Sequence, residues 1–347
     1  MRSVKISNRT VGDGEAVFVI AEAGVNHNGS LEMAKKLVDA AKDACADAVK
    51  FQAYKTDHLV TKEAQKAEYQ KKVCKSNSQY DLLKKLELGE SEIRELFHHA
   101  QKKGIIFLAS AFDVESVELL DQIDVSAFKV ASGEITNFPL LECIAEKRKP
   151  VIISTGMSSL SEIEEAVSVF TAKGCKDIIL LHCVTSYPAK FENLNLKRIS
   201  FLRQHFDFPI GFSDHTVGTV IPVAAVALGA VLIEKHLTLD KCLHGPDHSA
   251  SLEPSEFKQM VNDIRVTEKA LVNSTERSVE EEEIKKLVRK SIVAKVFIKK
   301  GTVVSEGLLD FKRPGTGISP QFLHKVVGKH AKSDIAHDEL VTLDKLE

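Results

Sequence analysis

No run of this sequence is long and apolar enough to cross a bilayer. The longest spans residues 221–233, against the roughly 20 residues a spanning helix needs. The first residues, Met1 to Lys5, lead into a polar segment without the apolar core of a secretion signal. A cytoplasmic protein with no membrane partner is expected. Net charge is nearly absent too: 47 Lys and Arg stand against 49 Asp and Glu, for −2. That balance supplies no field to hold nucleic acid or an anionic membrane. Cysteine pairs are also missing. Residues 45, 74, 143, 175, 183 and 242 are cysteines, with no C-x-x-C spacing among them, which excludes a zinc knuckle or thioredoxin-type motif. Most of them are expected to be small buried hydrophobes in a reducing compartment.

What is present is ordinary globular material, 44% hydrophobic and 28% charged, which argues against wholesale disorder. At about 150 residues per domain, the length suggests two domains. Eight apolar β-rich runs cover residues 16–21, 48–52, 105–109, 127–131, 151–154, 178–182, 209–212 and 231–235. Amphipathic segments lie between them, at 31–44, 91–103, 114–122, 160–173 and 222–228. Strands alternating with helices imply parallel βα units. Eight such units imply an α/β fold, a closed (β/α)8 TIM barrel. The gap from 53 to 90 is long for one βα unit and reads as a flap, with a charged helix over Glu63 to Lys75. A further helix pattern runs from Pro254 to Leu271, before a block of glutamates at 280–283. The expected organisation is a barrel over 1–275, a linker over 276–289 and a small β-rich domain over 290–347. That last part carries net +3 against −5 for what precedes it. Roughly 60 residues is marginal for independent stability, so it is expected to dock on the barrel or on a second subunit.

A barrel gathers the polar residues at its strand C-termini into one catalytic face. Every predicted strand supplies some: Glu22, Asn26 and His27, then Lys50 and Gln52, then Ser110 and Asp113. Lys129, Ser132 and Glu134 follow, then Ser154 and Thr155, and then His182, Thr185 and Tyr187. Ser213, Asp214, His215, Lys235 and His236 complete the set. His215 and His236, ending adjacent strands, are the candidate metal ligands, since neutral imidazole suits first-row divalent ions and two ligands leave an open catalytic site. The competing account makes each a hydrogen-bonded barrel residue. Lys50 and Lys129, with Ser110, Ser132, Ser154 and Ser213, suggest an anionic, phosphorylated substrate. A different account makes Lys129 or Lys235 a Schiff-base nucleophile, as in barrel aldolases. Glu22, Glu134 and Asp247 are the acid–base candidates.

The segments AEAGVNHNGS (21–30), DAVKFQ (47–52), KVASGEITN (129–137) and STGM (154–157) resemble the sialic acid synthase family. So do LLHCVTSYP (180–188), GFSDHTVG (211–218), IEKHLTLD (233–240) and GPDHSASLEP (245–254). KSIVAKVFIKKG (290–301) and KRPGTGISP (312–320) resemble the antifreeze-like SAF domain of those enzymes. The resemblance implies condensation of phosphoenolpyruvate with an N-acetylated manno-hexosamine. The products are phosphate and a nine-carbon 2-keto acid such as N-acetylneuraminate, legionaminate or pseudaminate. It implies a divalent ion, manganese or magnesium, at His215 and His236. Phosphoenolpyruvate would lie on Lys50, Ser110, Lys129, Ser132, Ser154 and Ser213, and the sugar on Gln52, Tyr187 and Asp247. It also implies a domain-swapped homodimer in which Arg313 reaches the partner's barrel. Thr185 departs from the asparagine of some family members, and GPDHSASLEP looks more like the neuraminate and legionaminate members than the pseudaminate ones. An ice-binding role for the small domain is disfavoured, because Thr302, Thr316 and Thr342 are scattered rather than in rows.

Overall fold

In the computed structural model, residues 3–66, 78–272 and 276–347 are described. Eight parallel strands close into a barrel: β3 (Phe18–Gly24), β4 (Ala48–Ala53), β5 (Ile106–Ala111), β6 (Phe128–Val130), β7 (Val151–Ser154), β8 (Ile178–Cys183), β9 (Ile210–Asp214) and β10 (Leu232–His236). Each pairs with its neighbour in chain order, and β10 closes on β3 through Leu232↔Phe18 to His236↔Glu22. All eight expected strands are there, shifted by at most three residues at an end.

The helices between strands bury one face on the barrel. Leu31–Asp43 buries Ala34, Leu37, Val38 and Ala41 and is capped by the Ser30 hydroxyl. Leu160–Ala172 starts with a capping box formed by Ser159 and Glu162. Helices Glu90–Lys103, Val114–Gln122, Phe138–Glu146, Lys197–His205, Val220–Ala227 and Pro254–Ala270 complete the ring. Inside the barrel, Phe18, Ile20, Leu108, Ile152, Ile179, Leu181 and Leu232 fill a lower layer. A hairpin of β1 (Val4–Ile6) and β2 (Arg9–Val11) adds Val4, Ile6 and Val11 to that layer, at the end opposite the strand C-termini.

The segment after β4 is no loose flap where it is described. Helix Gln79–Leu86 buries Leu82 and Leu86 with Val25 and Tyr54, and Glu87 accepts from the Thr56 N–H at 3.0 Å. The helix expected over Glu63 to Lys75 falls mostly outside the described residues, and Glu63 to Lys66 are not helical. The cysteine expectation is corrected as well. Cys175 and Cys183 are buried, Cys143 is half-buried, Cys45 and Cys242 are exposed, and Cys74 lies outside the described residues.

The chain divides into two compact units, residues 1–272 and 273–347. In the second, helix Val279–Val288 precedes β11 (Ser291–Ala294), which pairs antiparallel with β12 (Leu309–Lys312). Its own core holds Ile292, Ile298, Val304, Val326, Ile335 and Val341. Among the described residues no helix is long and apolar enough to cross a membrane.

Candidate active site

Side-chain alternation along each barrel strand decides what faces the axis. On β10, Leu232 belongs to the interior layer and Ile233 to the shell under the helices. Glu234 and His236 therefore face inward and Lys235 outward. The same rule points Glu22, Lys50, Ser110, Lys129, Ser154, Cys183 and Ser213 inward, one step above the apolar layer. These side chains line a cavity of about 170 Å³ at the strand C-termini, together with Gln52, Ser132, Tyr187, His215 and His236.

Four buried charges alternate across its floor. Lys50 Nζ lies 2.8 Å from Glu22 Oε2 and 3.6 Å from Glu234 Oε2, and Lys129 Nζ lies 3.8 Å from Glu234 Oε1. Each lysine also donates to a serine, Lys50 to Ser110 at 3.1 Å and Lys129 to Ser154 at 2.8 Å. Ser213 donates to Glu234 at 2.9 Å. Burial pushes Glu22 up to about 7, against the pull of Lys50. Burial works to raise Glu234 too, but Lys129 and Lys50 outweigh it and hold that carboxyl below its usual range. Burial lowers Lys129, while the two carboxylates beside Lys50 more than offset its burial and raise it.

The two imidazoles sit above this floor, ring centres 5.4 Å apart, with the Tyr187 ring 4.1 Å from His215. His215 Nδ1 lies 2.8 Å from the Val184 carbonyl. With the proton on Nδ1, that contact orients the ring and leaves Nε2 with a free lone pair. His236 Nδ1 is buried without a hydrogen-bond partner, and burial, then His215, keep this ring neutral. Burial works to lower His215, but Cys183 outweighs it and favours the protonated ring. A divalent ion would displace that proton, and the oriented His215 with the neutral His236 over a polar cavity then fits such an ion. Gly24 leaves them room: its φ is +52°, and a Cβ there would come within 3.2 Å of Glu22 Oε1 and 3.5 Å of His236 Cε1.

Residues 37–276 match the NeuB family, and residues 289–347 match the SAF domain. The chain belongs to the NeuB family. It is 48% identical to the N,N'-diacetyllegionaminic acid synthase of Campylobacter jejuni, over 93% of this chain and 98% of that one. It is 37% identical to the N-acetylneuraminate-9-phosphate synthase of Homo sapiens, over 96% and 93%. Among solved structures, the N-acetylneuraminic acid synthetase of Leptospira borgpetersenii, in complex with citrate, aligns with a TM-score of 0.72 at 39% identity, covering 82% of this chain and 95% of that one. This NeuB-family chain is an enzyme of the sialic-acid-synthase type.

Not every residue singled out in the sequence faces the NeuB-family cavity. Lys235, the second Schiff-base candidate, is fully buried outside the barrel interior. It is paired with Asp214 at 2.5 Å and donates to the Thr216 carbonyl. His182 bonds the Leu194 carbonyl at 2.7 Å. Asp113 caps the helix Val114–Gln122 and accepts from the Lys55 N–H. Glu134 is half-buried on the turn 132–134, where its carboxylate accepts from Asn137 at 2.8 Å. Asp247 is buried in the loop after β10, pushed up to about 6 by burial against the pull of His215. Arg313 belongs to the second unit.

Two ionisable lining residues escaped the sequence argument, Glu234 and Cys183. Counting by twos from His236 and from Leu181 would have found both. Among the described residues, a separate cluster of His58, Asp113 and Glu115 brings possible metal-ligand atoms within 4.8 Å of one another. Both Asp113 oxygens there already accept backbone N–H groups.

Proposed function

We propose that this enzyme condenses phosphoenolpyruvate with an N-acetylated manno-hexosamine and water, giving a nine-carbon 2-keto acid and phosphate. The observation that carries the reading is the buried pair Lys50 and Lys129, each bonded to a serine, in one cavity beneath two imidazoles. Cations and hydroxyl donors at that density suit the phosphate and carboxylate of phosphoenolpyruvate. The greater identity to the legionaminic acid synthase than to the human 9-phosphate synthase favours a 2,4-diacetamido-2,4,6-trideoxy acceptor over N-acetylmannosamine or its phosphate.

In this reading Lys50, Lys129, Ser110, Ser132, Ser154 and Ser213 bind phosphoenolpyruvate. Gln52, Tyr187 and Asp247 meet the open-chain sugar. His215 and His236 hold a divalent ion, manganese or magnesium, whose chemistry when bound is Lewis-acid polarisation of a carbonyl oxygen. Carbon 3 of phosphoenolpyruvate attacks the aldehyde carbon, whose oxygen gains a proton to become a hydroxyl, and water adds at carbon 2 with loss of one. The carbon 2 hydroxyl then loses its proton as the C–O bond to phosphate breaks. Glu22, at about 7, is matched to take the proton of that water near neutral pH. Glu134, on the turn beside Ser132 and Gly133 of the lining, is the other acid–base candidate, while Glu234 is the second carboxylate in the cavity itself. Arg313 reaches the barrel of a partner in a cytoplasmic, domain-swapped homodimer, which the opposite net charges of the two parts favour.

The test is phosphate release from phosphoenolpyruvate by manganese-loaded protein, with each sugar, with and without EDTA. Chelator-sensitive release with the diacetamido sugar is expected. No release with any acceptor, together with a borohydride-trapped adduct on Lys129, would overturn the reading in favour of an aldolase acting on pyruvate-like substrates.

A further inference from the structure

We infer that Asn26, Ser251 and His248 are positioning residues that hold Asp247 for the acceptor sugar. The inference rests on the reading above, in which Asp247 meets the sugar hydroxyls.

Asn26 and Asp247 lie on the loops that follow β3 and β10, neighbours in the closed barrel. The Asn26 carboxamide donates twice, to the Leu237 carbonyl at 2.9 Å and to Ser251 Oγ at 2.8 Å. Ser251 Oγ donates in turn to the backbone carbonyl of Asp247 at 2.7 Å. One relay thus runs from the loop after the first barrel strand to the backbone of Asp247. A second tie lies beside it. His248 bridges the same two loops, with Nδ1 2.7 Å from Thr238 Oγ1 and Nε2 3.3 Å from Asn28 Oδ1. Gly245 makes that bridge possible, because a Cβ there would stand 2.8 Å from both Asn28 Oδ1 and His248 Nε2.

Asn26, Thr238, His248 and Ser251 are all at most 2% exposed. Burying this many polar groups is costly unless they are bonded, and of these four side chains only Asn26 Oδ1 is buried without a partner; the bonds that are made favour one geometry. Backbone pairing of Leu237 with Leu252 already joins the ends of the 238–251 segment. The side-chain relay acts further in, at Asp247 itself. It sets where the residue after Pro246 enters the short turn 248–250, and with it the direction of the carboxyl.

The experiment uses the full-length enzyme, phosphoenolpyruvate and the diacetamido sugar, with wild type, Ser251→Ala, Ser251→Thr and Asn28→Ala. Ser251→Ala is expected to raise the sugar KM at least fivefold while the phosphoenolpyruvate KM stays within twofold. Ser251→Thr, which keeps the hydroxyl, restores the sugar KM. Asn28→Ala, on a half-buried residue at the edge of the network, moves the sugar KM the same way by a smaller factor, and decides the matter if Ser251→Ala does not fold. Equal changes in both KM values, or a sugar KM within twofold of wild type, would overturn the assignment. Amide hydrogen exchange separates the two inferences. Ser251→Ala is expected to speed exchange over residues 245–252 and leave 232–236 unchanged. If wild type releases no phosphate, the functional reading falls, and unchanged exchange at 245–252 would then defeat the positioning role on its own.

Discussion

Replacing Lys129 by Met removes one cation from the cavity floor at nearly constant volume. In the native enzyme Lys50 and Lys129 face Glu22 and Glu234, and Glu22 is only partly ionised near neutral pH because burial pushes it up to about 7. The floor is therefore between neutral and +1, and Lys129→Met takes it to between −1 and neutral. One unit charge about 4 Å from a bound phosphate is worth about 4 kcal/mol at an effective dielectric of 20, or roughly three powers of ten in affinity. Glu234 lies 3.8 Å from Lys129 and already offsets part of that attraction. The expected rise in the phosphoenolpyruvate KM is thus about a hundredfold to a thousandfold, with the sugar KM little changed. Ser154→Ala is the milder control. It deletes the hydroxyl that Lys129 donates to at 2.8 Å and should cost about 1 kcal/mol. The assay is initial-rate phosphate release with each substrate varied in turn. A phosphoenolpyruvate KM within threefold of wild type in Lys129→Met would refute the assignment of this cation to the anion.

Glu22→Gln tests the buried carboxyl through stability in metal-free enzyme. The native group sits at about 7, raised by burial, so the folded state keeps its proton after an unfolded chain has lost it near 4.5. Stability of the native enzyme therefore falls, relative to the Gln variant, as pH rises from about 4.5 to 7, and levels off above. The difference should reach about 3 kcal/mol, read from urea midpoints at pH 4 and 8; a pH-independent difference contradicts it. His215→Ala should abolish chelator-sensitive turnover and manganese binding by calorimetry while far-UV circular dichroism is unchanged, and full activity would defeat the metal assignment. Gly24→Ala puts a Cβ at positive φ between Glu22 and His236 and should cost about 1 kcal/mol, seen as a lower Tm.

The barrel was legible because its strands are buried on both faces and read as unbroken apolar runs bounded by amphipathic helices. Elements with weaker patterns were missed. The hairpin β1–β2 has three residues per strand, too few for alternation to register. Helix Lys197–His205 buries only Ile199 and Leu202, and its charged remainder hides the period. The gap after β4 looked like a flap because it is long for one βα unit. Its anchoring by Leu82 and Leu86 against Tyr54 joins residues about 30 positions apart, which no local window captures. Cys45 and Cys242 were misjudged because burial statistics for cysteine say nothing about a particular turn, and both stand exposed in short connections.

The candidate site shows more sharply what sequence order conceals. Strand ends were read as sets, so Lys235 and Asp214 stood beside His236 and His215 as equals. Period-two geometry divides them: the histidines line the cavity, while Lys235 and Asp214 neutralise each other outside it. The same parity makes Glu234 a cavity residue, and with it the electrostatic picture changes. Two lysines alone would leave a floor of buried, unpaired cations, costly in the folded protein before any ligand arrives. Glu22 and Glu234 remove that cost by pairing with them. An arriving anion then competes with carboxylates for lysines already in place. On the proposed function, specificity for a polyanion would follow from that competition, since a weakly charged ligand would gain too little to displace the glutamates, whereas a phosphate with a carboxylate would engage both lysines at once.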